Sequence, residues 1–447
     1  MSLSRILMCA VLVSMPALAG APDTTRMNEL AEAYAKSGVF MGSVLVWKDG
    51  QVLLDKGYGY ANLEFQVPNA PDTKFRLGSM TKQFTAAAIL LLQERGKLKL
   101  DDPVKKYIPD APAAWDKITI RNLLNHTSGV PSFTSLPDFA SHVRNPVAPQ
   151  DEFGWVKDKP LEFAPGTKWA YSNSGYSLLG LIIEKTSGVT YQQFLADNIF
   201  KPLGMKDSGY DSNSIIIARH ASGYVPGHDG MAVAGYSDMT VPYAAGALYS
   251  TTHDILTWDQ ALFGSKVLKP ASLKAMTTPG LGDYGFGFWI HTAEGHTDVS
   301  HPGAIDGFNT AGHYLTTDKL AVIVLGNLNG PGPDALSDAL MKTALGMPST
   351  LPSERKAVTI DPKSFDALVG TYQAAPQFAL VFSRDGDHFF GQGTGQPKIE
   401  IFPLSEHEFF AKVADATVRF ELDANGKGAK AILMQNGQAM TAVRVTP

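Results

Sequence analysis

Three short patterns in the 447-residue chain carry residue types that can do covalent chemistry. Ser79 and Lys82 stand three residues apart in Phe75-Arg76-Leu77-Gly78-Ser79-Met80-Thr81-Lys82, which puts a hydroxyl and an amine on one face of a starting helix. The unpaired N–H groups of a first turn favour a developing oxyanion. An amine one turn later can take the hydroxyl proton once its own pKa is lowered. The alternative reading of the same residues is a serine capping a helix with a lysine on its solvated face. Tyr171 and Asn173 stand two apart in Trp169-Ala170-Tyr171-Ser172-Asn173-Ser174-Gly175. A phenol on a rigid loop can relay protons beside an ammonium, and an asparagine amide can hydrogen-bond a lysine and a substrate amide together. The alternative is an aromatic-plus-cap loop. His301, Pro302, Gly303 and Ala304 form the third pattern, in which glycine permits the close backbone approach an acyl-binding site needs.

Each pattern is weak alone, because each occurs twice. Ser-x-x-Lys recurs at Ser353–Lys356, Tyr-x-Asn at Tyr60–Asn62, and His-x-Gly at His228–Gly230. Ser353 lies in a Pro/Ser-rich stretch, Tyr60 precedes the candidate nucleophile, and His228 sits in a Gly/Asp-rich loop. Only Ser79, Tyr171 and His301 each fall in a defined context.

Those contexts are set by the elements around them. Phe84, Ala87, Ala88, Leu91 and Leu92 recur at helical spacing and predict an amphipathic helix that Gly96 closes. Residues 24–36 predict a first helix, and 42–47 with 52–54 a hairpin turning at Lys48-Asp49-Gly50. Residues 118–125 form a helical run into a polar turn at His126, whose ring either braces that turn or serves as a ligand or base. Ser174 is expected to open an apolar helix over 178–185, and 245–254 to pack between lobes. Residues 284–290 read as a strand, and the next strand as ending at 299–303. An antiparallel pair follows over 309–314 and 321–326, then a closing helix over 335–345. The division expected is a signal peptide over 1–19, a hydrolase domain over 20–346, a linker over 347–356 and an all-β unit over 357–447. The last rests on turn signals at 385–387, 395–397, 425–427 and 436–437.

Hydrophobic residues make up 44% and charged residues 18%, the balance of a globular chain long enough for two or three cores. Net charge is −5 with no basic stripe, which argues against a nucleic-acid partner. Arg5, an apolar run from Ile6 to Met15 and Ala17-Leu18-Ala19 make the signal peptide, and with it a periplasmic or secreted location. No later stretch reaches the ~18 apolar residues a transmembrane helix needs. Cys9, the one cysteine, lies inside the signal, so the mature chain has no disulfide, thiolate nucleophile or cysteine zinc site. No cofactor or metal motif is read.

In order, Ser79-Met80-Thr81-Lys82, Tyr171-Ser172-Asn173 and His301-Pro302-Gly303 resemble the serine β-lactamase and penicillin-binding-protein superfamily. The closer likeness is to the branch of class C β-lactamases, D-peptidases and esterases. Asn125-His126-Thr127-Ser128-Gly129 and Gly246-Ala247-Leu248-Tyr249-Ser250-Thr251 are similar to that branch too. The resemblance spans about residues 24–346, and the remainder resembles the lipocalin-like barrel appended to many such hydrolases. It implies an antiparallel sheet flanked by helices with an all-α lobe, an α/β plus all-α catalytic domain, followed by a small all-β barrel. It also implies Ser79 as acylated nucleophile, Lys82 as its activator, Tyr171 as proton shuttle and Asn173 as the residue orienting lysine and substrate. His301, Gly303 and Ala304 would bind substrate, the Ala304 N–H completing an oxyanion hole with that of Ser79. Whether Lys82 or Tyr171 is the base stays open.

The third pattern departs from the family's Lys-Thr-Gly. Histidine is largely neutral at neutral pH, and Pro302 has neither hydroxyl nor N–H. Recognition of a terminal carboxylate is therefore expected to be weakened. The function expected is an esterase or D-amino-acid-specific peptidase or amidase acting on a small ester, amide or short peptide. Carboxypeptidase or β-lactamase action and a non-catalytic binding module are the alternatives. A homo-oligomer is allowed by this reading.

Overall fold

The computed structural model describes residues 22–227, 230–351, 354–375, 378–396, 398–412, 416–435 and 438–445. The signal segment, His228, Ser353, Pro397 and the Asn436-Gly437 turn lie outside the described residues. In chain order the main elements are α1 (Thr24–Lys36), β1 (Gly42–Lys48), β2 (Gln51–Tyr58), α2 (Thr81–Glu94), α3 (Ile120–Leu124), α4 (Asn173–Ser187) and α5 (Thr252–Phe263). They continue with β3 (Trp289–Ala293), β4 (His296–Ile305), β5 (Phe308–Leu315), β6 (Leu320–Gly326) and α6 (Gly332–Ala344). Eight further strands, from Gly370–Ala375 to Gln438–Arg444, close into an antiparallel barrel.

The six-stranded sheet is antiparallel throughout, in the order β3-β4-β5-β6-β1-β2. The N-terminal hairpin thus completes a sheet whose other strands lie near residue 300, with Gly42 paired to Gly326 and Lys48 to Leu320. Strand alternation gives the sheet two apolar faces. Val44, Val46, Val322 and Val324 pack with Met27, Leu30, Leu336 and Leu340 under α1 and α6. Leu45, Ile323 and Leu325 face the larger cluster built around α2.

Helix α2 runs through the centre of that cluster and is not amphipathic: every residue from Thr81 to Leu92 is buried. Its apolar positions match the expected period, but its polar ones are buried too and each finds a partner. Thr81 Oγ1 accepts from the Leu248 N–H at 3.1 Å, Gln83 Oε1 accepts from Trp258 Nε1 at 2.7 Å, and Thr85 Oγ1 donates to the Ala244 carbonyl at 2.7 Å. A helix packed on all sides has no solvated face, so Lys82 lies in the interior.

Other boundaries also differ from expectation. Ser172, not Ser174, caps α4 by accepting from the Gly175 N–H, while the Ser174 hydroxyl accepts from the Phe133 N–H at 2.8 Å. The strand expected over 284–290 begins only at Trp289, because Gly287 adopts a left-handed φ of 76° and packs on the backbone of Lys82 and Gln83. Strand β4 continues to Ile305 rather than ending at Gly303. The expected linker is held down: Arg26 donates to Glu354 and to the Ser349 carbonyl, and Leu351 packs under α1 and α6. The barrel interior is filled largely by Phe365, Tyr372, Phe382, Phe389, Phe409 and Phe420.

Gly303 shows how tightly β4 meets the turn before α2. A Cβ there would overlap the Leu77 carbonyl oxygen and the Thr310 hydroxyl. Gly303→Ala is expected to destabilise the fold by about 1–3 kcal/mol, the usual cost of overpacking. Gly154→Ala, where a Cβ meets nothing within 4 Å, should change it by less than about 0.5 kcal/mol. Thermal denaturation of the two variants beside wild type checks this pair.

Candidate active site

Ser79 sits in a 3-10 turn, Gly78–Met80, that leads directly into α2. Gly78 is needed there twice over. Its φ is +53°, and a Cβ on it would lie 2.8 Å from the Ala304 nitrogen, so the turn and β4 touch backbone to backbone. Strand β3 stops opposite Ser300, leaving residues 301–305 of β4 paired only with β5. Pro302 has no N–H, yet the ladder to β5 continues across it. The backbone groups of alternate residues from Pro302 therefore face the open edge, and Ala304 is the next of these. Ser79 and Ala304 both line the same cleft wall.

Lys82 Nζ is fully buried and meets three oxygens: Asn173 Oδ1 at 2.7 Å, the Ala245 carbonyl at 2.8 Å and Ser79 Oγ at 3.1 Å. Burial pushes the Lys82 ammonium well below its ordinary pKa. Two of its partners can only accept. In the amine form those two keep its two hydrogens, and the lone pair turns to the Ser79 hydroxyl, which can donate. That arrangement suits a base. Tyr243 helps to supply it, since its left-handed φ of 37° belongs to the short helix Tyr243–Gly246 that aims the Ala244 and Ala245 carbonyls at α2.

Asn173 is the first residue of α4, so the Ser172 cap that starts the helix also fixes it. Its N–H donates to Ser132 Oγ and its Nδ2 to Thr134 Oγ1, both at 3.1 Å, which turns Oδ1 toward Lys82. Tyr171 packs its ring 4.8 Å from Lys82 Nζ and parallel to Trp289 at 5.8 Å. Burial pushes the phenol up, against the pull of Ser79, so the tyrosine favours its neutral form. His126 braces this loop: its Nδ1 accepts from the Ser172 N–H at 3.2 Å and its ring lies 4.4 Å from that of Tyr171.

A cavity of about 180 Å³ opens over Ser79, Asn173 and Ala304. Its walls are mostly apolar, with Phe133, Phe139, Val143, Val241, Pro242 and Ile305, and among the described residues no Lys, Arg or His lines it. Two residues expected at the substrate do not reach it. Gly303 faces inward against Leu77, as the close approach it permits is to the chain's own backbone. His301 is buried under Trp289, with Nε2 accepting from the Tyr284 hydroxyl at 3.0 Å and Nδ1 donating to the Pro302 carbonyl at 2.6 Å. Burial above all pushes its pKa to about 3, so it carries no charge at neutral pH.

Sequence reading missed the Ala245 carbonyl, the Ser132–Thr134 clamp on Asn173 and Asp306 at the cavity rim. A backbone carbonyl leaves no residue-type signal. Two hydroxyls forty residues from the asparagine they hold become a clue only once the loops are folded together.

A family model described as Beta-lactamase matches residues 27–345, and one described as Domain of unknown function (DUF3471) matches 354–443. The chain belongs to the beta-lactamase family, and its relatives include penicillin-binding proteins. It is 30% identical over 449 residues to Penicillin-binding protein 4* of Bacillus subtilis, covering 94% of this chain and 98% of that one. The octameric penicillin-binding protein homologue from Pyrococcus abyssi superposes with a TM-score of 0.67 at 26% identity, over 94% of this chain and 100% of the other. A D-amino acid amidase from Ochrobactrum anthropi, solved with L-phenylalanine, gives 0.64 at 27% identity over 72% and 96% of the two chains.

The buried imidazole sets a pH dependence. His301 has its ordinary value near 6.5 pushed to about 3, so below pH 6.5 the unfolded chain takes up a proton the folded one refuses. Stability from this group is complete above that value and is lost as pH falls toward 3, by at most about 1.4 kcal/mol per unit. Thermal midpoints measured from pH 7 to pH 4 should fall less steeply in His301→Gln than in wild type.

Proposed function

We propose that Ser79 is the nucleophile of an acyl-transfer reaction on small esters and amides, amino-acid amides among them. The observation that carries this is Lys82, buried without a counter-charge and turned by two obligate acceptors onto Ser79 Oγ. In this reading Lys82 takes the Ser79 proton as Oγ attacks the substrate carbonyl, and the N–H groups of Ser79 and Ala304 hold the oxyanion. Tyr171, its ring packed against Lys82, passes a proton to the leaving group and later assists water, while Asn173 keeps Lys82 in place.

The cavity bears on the substrate. A terminal carboxylate would meet mostly apolar walls and, among the described residues, no Lys, Arg or His, which disfavours carboxypeptidase and β-lactamase action. Likeness to a D-amino acid amidase supports the amide arm. A second reading, action on cell-wall peptides or β-lactams, draws its support from the penicillin-binding relative that matches nearly the whole chain. The octameric homologue supports a homo-oligomer. We propose with this reading the division at 346 and 357 and a periplasmic or secreted location; among the described residues no helix is long and apolar enough to cross a membrane.

Intact-mass spectrometry after brief incubation with p-nitrophenyl acetate, a D-amino-acid p-nitroanilide and a penicillin tests the proposal. Transient acylation by the first two is expected, absent in Ser79→Ala. A long-lived penicilloyl adduct instead would favour the second reading, and no adduct at all would count against an acyl-enzyme. Lys82→Met should slow acylation roughly 10²- to 10⁴-fold, the range of a general base, as read by release of p-nitrophenolate.

A further inference from the structure

Among the described residues, Asp306 is the only acidic or basic side chain lining the cavity over Ser79. It stands at the tip of the β4–β5 hairpin, where Ile305 pairs with Phe308 and Gly307 takes the left-handed φ of 83° that the turn requires. Its position is two residues beyond Ala304, roughly 7 Å along the chain at strand rise. The Ser237 hydroxyl donates to its Oδ2, and among the described residues no cation pairs with it. Asp306 is exposed at the rim of this apolar cleft, so its carboxylate, held by one neutral donor, is open to a cation arriving from solution.

From this we infer that Asp306 is a specificity residue that binds the ammonium of the acyl group, so that the preferred substrates are amides or esters of apolar amino acids with a free amine. The inference rests on the reading of Ser79 as the acylated group. An α-ammonium lies two bonds from the carbonyl carbon. With that carbon at Ser79 and its oxygen toward the Ala304 N–H, a carboxylate reaching back from the hairpin tip is in range of the nitrogen. The apolar walls at Phe133, Phe139 and Val143 then take the side chain. The polarity of this cleft is the reverse of one built for a carboxylate: one fixed negative group and no positive one.

The test compares kcat/KM for phenylalaninamide, of either hand, with that for its N-acetyl derivative, in wild type and in Asp306→Asn. Wild type should prefer the free amine. In the isosteric variant the ratio should fall about 10- to 100-fold, the worth of a charge-assisted hydrogen bond. A change confined to folding would scale both substrates together and leave the ratio alone. A second readout needs no chemistry at Ser79: calorimetric binding of phenylalaninamide to Ser79→Ala should weaken by a similar factor when Asp306→Asn is added. An unchanged ratio with p-nitrophenyl acetate still acylating Ser79 would overturn the role of Asp306 and leave the acyl-enzyme reading intact. Loss of ammonium binding in the double variant, with no acylation in wild type, would support Asp306 and overturn the acyl-enzyme reading instead.

Discussion

A lysine sealed from water cannot keep its proton cheaply. Removing an ammonium from solvent costs several kcal/mol even after the protein relaxes, and an opposite charge is the usual remedy. Lys82 has none. Its neighbours are the rings of Tyr171 and Tyr176, two carbonyl-type oxygens and the hydroxyl of Ser79. Burial therefore favours release of the proton, and the geometry suits that form: two hydrogens for two acceptors, one lone pair for Ser79. Much of the catalytic domain follows from the need to build this environment. Helix α2 must be buried on every side, α4 must begin at Asn173, and the strained turn at Tyr243 must bring its carbonyls to α2.

The second constraint is the close contact between the turn carrying Ser79 and strand β4. Gly78 packs on the Ala304 peptide, and Gly303 packs on Leu77. Gly78 lines the cavity and Gly303 does not; together they let the turn carrying Ser79 lie directly on strand β4. Pro302 belongs to the same arrangement. In a central strand it would break the ladder, but β3 has already ended, so the missing N–H falls on an open edge. His301 beneath it has exchanged a role at the substrate for one in the wall, where it holds Tyr284 and flanks Tyr171.

Much of this was legible in residue types and order. Ser79, Lys82 and Asn173 lie within hydrogen-bond reach with the Tyr171 ring against Lys82, Ser79, Asn173 and Ala304 line one cavity, and the strands over 42–47 and 321–326 were read as antiparallel elements. The C-terminal barrel was announced by its turns. What could not be read were properties that depend on what lies across the fold. The period of α2 looks amphipathic because its polar residues occupy one side, and only the loops at 244–248 and Trp258 reveal that this side is buried as well. The placement of His301 and Gly303 failed for the same reason: their chemistry suggested a substrate contact, while their burial is decided by Trp289 and Leu77.

The central claim is the protonation state of Lys82, and it can be observed without turnover. With lysines labelled at Cε, carbon NMR across pH 6 to 11 should show one resonance, absent in Lys82→Met, that titrates far below the ordinary lysine range near 10.4. A Lys82 signal that stays in its protonated position to pH 10 would mean a buried ammonium donating to Ser79, and would contradict the account of Lys82 as the base.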